Sequence, residues 1–107
     1  MSPRRLAAGI ACAAALPVLA LAAAPVIVTQ SGRAFSVREL HIGAGSVVRF
    51  VNADEFLHHV YVSASNFAFD SGEQQPGKDV DVRFPTSGHF EVRCEIHPRM
   101  KLAVTVD

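Results

Sequence analysis

The stretch HFEVRCEIHPRMKLAVTVD, residues 89 to 107, alternates in polarity, breaks, and alternates again. Residues two apart on a strand share a face. Phe90, Val92 and Cys94 therefore point one way, while Glu91 and Arg93 point the other. KLAVTVD resumes the pattern after a break that holds Cys94, His97 and Met100 at even three-residue steps. Two strands joined by a short loop rich in soft donor atoms is the reading, with Cys94 at the inward-facing end of the first strand.

The same alternation runs upstream. PVIVTQ (25–30), AFSVREL (34–40), SVVRFVN (46–52), HHVYVSA (58–64) and KDVDVRF (78–84) read as short β-rich runs separated by turn residues. HIGAGS (41–46) reads as a turn-containing stretch, and residues 65–77 as a longer loop. In that loop Phe67 and Phe69 share an inward face, and Asp70-Ser71-Gly72 turns. No stretch after residue 25 holds helical periodicity over ten or more residues. The expectation is an all-β domain, an antiparallel Greek-key sandwich or barrel of about seven short strands.

The first residues follow different rules. Arg4 and Arg5 precede an Ala- and Leu-rich apolar run that closes on Ala20-Leu21-Ala22, the layout of a secretory signal peptide. We expect residues 1–22 to be the signal, with cleavage at about 22–24, and residues 25–107 to be the domain. A retained membrane anchor and lipid attachment at Cys12 are the alternatives, and the paired arginines leave the export route open. Cleavage leaves a small domain of about 83 to 85 residues, with a modest core. Cys94 is then its lone cysteine, which rules out an internal disulfide and calls for a thiol that is buried or bound. Ten Lys and Arg balance ten Asp and Glu, without a basic stripe, so nucleic acid is not an expected partner.

Each donor taken alone has an ordinary explanation. His58 shares a face with Val60 and Val62, where a hydrogen-bonded core histidine is common; a lone Cys or Met is usually packing. Together they form a set. A thiolate, two imidazoles and a weak axial thioether make the trigonal site of blue-copper electron carriers. Cys94, His97 and Met100 would come from one loop, and His58 from an inward strand face. Zinc could use Cys and two His but gains nothing from Met100. One cysteine excludes an iron–sulfur cluster, and a cysteine nucleophile would find little oxyanion apparatus in so short a β-chain.

VRFVNADEFLHHVYV (48–62) and GHFEVRCEIHPRMKLAVTV (88–106) resemble the cupredoxins, the small blue-copper proteins that include plastocyanin and amicyanin. The similarity spans roughly residues 33 to 107. It implies His58, in its H-x-V context, as first ligand, and Cys94, His97 and Met100 as the rest, around one copper per chain. His59 is the alternative to His58, with periodicity favouring His58. The short Cys-x-x-His-x-x-Met loop with Pro98 is closest in pattern to amicyanin. The resemblance implies a periplasmic, monomeric carrier of single electrons, not an enzyme. It would be free of the membrane after signal cleavage and would transiently meet redox partners such as a dehydrogenase or a c-type cytochrome. His97 would be the electron doorway. The alternative from another class is a copper storage, delivery or resistance protein, for which extra histidines such as His59 and His41 would favour transfer. The chain departs from the family pattern at His59, where Asn is usual, at Glu95, where Ser or Thr is common, and at Arg99, where carriers often have an apolar residue. Two readings of His59 stand side by side: an ion pair with Glu95 that substitutes for the usual polar clasp, or a side chain that simply faces solvent. His41 and His89 are expected on the surface.

Overall fold

A computed structural model describes residues 23–107; the expected signal segment, with Cys12, lies outside the described residues. Among the described residues there are nine strands and no helix. They are β1 Val26–Ser31, β2 Ala34–Phe35, β3 Glu39–Ile42, β4 Val47–Asn52, β5 Val60–Ser63, β6 Ala68–Asp70, β7 Asp79–Arg83, β8 Gly88–Cys94 and β9 Lys101–Val106. Two sheets stack, one in the order β2-β1-β4-β7, the other β3-β9-β8-β5-β6. The all-β sandwich expected from alternation is the fold. The sheets, however, are mixed: β1 pairs parallel with β4, and β3 parallel with β9. Alternation fixes which face a residue takes but is the same for either direction of pairing, so this part of the expectation is corrected.

The remaining differences are local. The run AFSVREL divides into β2, which pairs with β1, and β3, which joins the other sheet beside β9. His41 and Ile42, the first residues of the expected turn-containing stretch, complete β3. The loop at 65–77 contains a three-residue edge strand, β6, too short to give a periodic signal.

The inward faces fill one core. Val28, Val48, Phe50, Val82 and Phe84 of the first sheet and its margin meet Val60, Val62, Phe90, Val92, Leu102, Val104 and Val106 of the second. Phe67 packs against Phe84 and Phe90 with ring centroids 5.3 and 5.6 Å away, and Phe69 lies partly buried against the same cluster. The core ends at one pole, where β4, β5 and β8 reach Asn52, His58 and Cys94, all buried. That pole carries the chemistry.

On the solvent face, Arg49 of β4 grips Asp81 of β7 through two hydrogen bonds of 2.8 and 3.1 Å. The Arg49 guanidinium holds the Asp81 carboxyl below its usual range. A depressed folded-state value adds stability above the unfolded carboxylate range, and the gain disappears as pH falls through the folded value. Both groups are solvated, so the gain is small. Asp81→Asn should leave neutral-pH stability nearly unchanged and make the acid limb of the stability curve shallower, as read by urea unfolding from pH 7 to pH 3.

Candidate metal centre

His58 lies just before β5, locked by a pair of backbone bonds. Its N–H donates to Gln74 O at 3.0 Å, and Gln74 N–H donates to His58 O at 2.7 Å. Alternation with Val60 and Val62 turns its ring inward, and it is wholly buried. Cys94 ends β8 opposite Val60 and is also buried. The two segments are joined around the sulfur: His59 N–H donates to Cys94 Sγ at 3.4 Å, and Glu95 N–H donates to His59 O at 2.9 Å.

His97 follows on the loop between β8 and β9, and the Met100 N–H closes that loop on His97 O at 2.9 Å. The Nδ1 atoms of His58 and His97 stand 3.6 and 3.7 Å from Cys94 Sγ. One donor atom from each residue lies within 4.8 Å of the others. His97 is partly exposed, whereas Met100 is 1% exposed. Three of the four residues expected from the sequence thus converge through ring nitrogens and sulfur, and the fourth is buried at the end of the same loop.

Residues that the sequence reading left out hold this cluster in shape. Asp54 Oδ2 lies 2.8 Å from His58 Nε2. A carboxylate there accepts a hydrogen bond from Nε2–H and leaves the Nδ1 lone pair free for a metal, which is how an outer partner sets a histidine's tautomer. The same carboxylate accepts the N–H groups of Gly32 at 2.7 Å and Arg33 at 3.3 Å. Burial pushes the Asp54 carboxyl up, but the bonds from His58, Gly32 and Arg33 outweigh it and set it below its usual value. Asn52 fixes the loop above: its Nδ2 donates to Phe56 O and Gln74 O, and its Oδ1 accepts Asp54 N–H. Phe56 then stands edge-on to both rings, 5.4 Å from His58 and 5.3 Å from His97. Burial, with His58 and Arg33 nearby, lowers the pKa of His97, which favours the neutral imidazole, the form able to bind a metal. An acid four residues before a candidate ligand, as in DEFLH, was the available signal for Asp54.

The expected ion pair between His59 and Glu95 is not formed. His59 faces outward beside β6 and pairs with Asp70, whose carboxyl is held low first by Gly72 N–H and then by His59. The unforeseen β6 supplies that partner, and Glu95 contributes only its backbone. The turn at Asp70-Ser71-Gly72 does form, with Gly72 N–H on Asp70 Oδ1 at 2.8 Å. His41 and His89 are exposed on the outer face.

One soft sulfur and two imidazole nitrogens in a buried pocket fit a single copper ion, the sulfur suiting Cu(I) and the nitrogens either oxidation state. Removing the Asp54 brace should weaken any metal bound there without unfolding the domain. Asp54→Asn is expected to lower metal affinity by about 10-fold or more, measured by competition with a chromophoric chelator.

No protein-family model matches the sequence, and no curated protein matches it. Solved structures do. A Cu-containing nitrite reductase from Thermus scotoductus SA-01 superimposes with TM-score 0.73 at 28% identity over 81% of this chain. This chain spans 23% of that reductase's length. A reduced amicyanin variant matches with TM-score 0.73 at 22% identity, covering 82% of this chain and 87% of the amicyanin. A Cu(I) form of another amicyanin variant gives TM-score 0.73, also at 22% identity and with the same coverage. With two mixed sheets of this order and this pole, the described chain has the cupredoxin fold, and its His-Cys-His cluster fits a type 1 copper site.

Proposed function

We propose that this protein is a periplasmic type 1 copper protein that carries single electrons between redox partners. His58 Nδ1, Cys94 Sγ and His97 Nδ1 would hold the ion, with Met100 as the weak fourth ligand. The observation that carries the reading is the convergence of these three donor atoms within 4.8 Å at a buried pole. Bound copper would supply the Cu(I)/Cu(II) couple; the chain supplies a fixed frame. His58 and Cys94 are clamped by β-pairing, Asp54 and Asn52, so the donors need little rearrangement between oxidation states. His97 is the partly exposed member and would be the route to a partner. Among the described residues no helix is long and apolar enough to cross a membrane. Export to the periplasm, with removal of residues 1–22, rests on the signal-like start of the sequence.

Electrochemistry of the copper-loaded protein separates this from storage or delivery. A carrier gives a reversible one-electron couple and keeps its ion against a modest chelator. No reversible couple, with copper lost to the chelator, would favour a copper-handling role instead.

A further inference from the structure

Beside His97 opens a cavity of about 440 Å³ lined by Gly32, Arg33, Ile96, His97, Pro98 and Arg99. Two of the six residues carry guanidinium groups and none carries a carboxylate. The rest of the described chain differs: outside this cavity, residues 23–107 hold six Lys and Arg against ten Asp and Glu. Residues 23–107, with a small acidic excess, place a cationic notch at the exposed edge of the candidate metal centre. Ile96, 44% exposed, supplies an apolar floor beside it.

Arg33 is also fixed in place. It occupies the tip of the β1–β2 hairpin, where Gly32 and Arg33 both have positive φ, 62° and 58°, as the tight hairpin turn requires. Arg33 is the sole non-glycine residue with positive φ among the described residues; glycine or asparagine would fit there with less strain. Asp54 receives the amides of both tip residues, and the guanidinium lies over the Phe56 ring at 4.7 Å. The ring in turn contacts His97. An arginine held at a costly backbone position, stacked over Phe56, and lining one cavity with a second arginine is suited to planar recognition of a carboxylate.

Resting on the electron-carrier reading, we infer that the Arg33–Arg99 notch is the docking site for an acidic partner protein, which inserts a carboxylate side chain beside His97. The charges act mainly on encounter, so they set association rate and its salt dependence.

Two arms test this. In the first, the Cu(I) protein is oxidised by hexacyanoferrate(III) and, separately, by tris(phenanthroline)cobalt(III) at varied ionic strength. Arg33→Gly and Arg99→Gln should each slow the anionic reagent by roughly 3- to 10-fold at low salt and not slow the cationic one. Arg38→Gln, an exposed arginine outside the notch, serves as control and should change neither. Arg33→Gly keeps the turn and should melt at or above the parent temperature, so a rate loss cannot be ascribed to misfolding. In the second arm, a hexaglutamate peptide is titrated into the metal-free protein by NMR. Amide shifts should centre on residues 32–33 and 96–99 and vanish in the double variant. A redox-active protein whose rates ignore both substitutions, or a peptide that binds elsewhere, would overturn the notch and leave the carrier reading intact. Peptide binding at the notch of a protein that takes up no redox-active copper would overturn the carrier reading instead.

Discussion

Cys94→Ser should abolish the intense visible absorption expected of the parent protein on titration with Cu(II). The band expected of the parent is a thiolate-to-copper charge transfer, and Cys94 is the sole thiol among the described residues. Its sulfur lies 3.6 and 3.7 Å from the two Nδ1 atoms, close enough for one ion to bond all three. Serine preserves the volume of the side chain nearly enough for the fold to persist, but its hydroxyl is not ionised at neutral pH. The variant should therefore bind copper weakly and show only faint absorption, while its melting temperature in the absence of metal stays close to that of the parent. An undiminished band in the variant would mean that the copper sits away from β8.

The largest stability effect expected of any residue near the centre belongs to Asn52. It is 1% exposed and makes three hydrogen bonds, to Phe56 O, to Gln74 O and from Asp54 N–H. Asn52→Ala removes them together. Gln74 O keeps the His58 N–H, but Phe56 O and Asp54 N–H lose their anchor. At about 1 kcal/mol per bond, with a further penalty for groups left unpaired, the loss should be about 2–4 kcal/mol. That is a large share of what a domain this size commands. Urea unfolding reads it directly. The variant should also lose metal affinity, because Phe56 and Asp54, which brace both histidine rings, hang from this side chain. A loss below 0.5 kcal/mol would mean that the loop at 53–57 is held by something else.

Much of this was legible in the sequence because strand alternation and the spacing of Cys94, His97 and Met100 are local properties. The face shared by Phe90, Val92 and Cys94 is the buried face of β8, and the face of His58, Val60 and Val62 is the buried face of β5. Periodicity separated His58 from His59 for the same reason: one ring is in the core and the other beside β6. Pairing direction was not legible, since alternation looks alike in parallel and antiparallel ladders. Nor was the brace around the site. Asp54 acts on His58 from the neighbouring loop while receiving amides more than twenty residues away, at Gly32 and Arg33. Such contacts depend on how β1 and β4 lie side by side, which no spacing rule reports. The mistaken partner for His59 has the same origin, because Asp70 reaches it only through an edge strand of three residues.

In the proposed carrier, His58, Cys94 and His97 share one copper ion. A crystal structure of the copper-loaded protein, with an anomalous difference map at the copper edge, tests it most directly. One strong peak is expected within bonding distance of His58 Nδ1, Cys94 Sγ and His97 Nδ1, with Met100 as the fourth neighbour. A peak on the outer face at His41 or His89, or at His59 and Asp70 with the buried cluster empty, would contradict it.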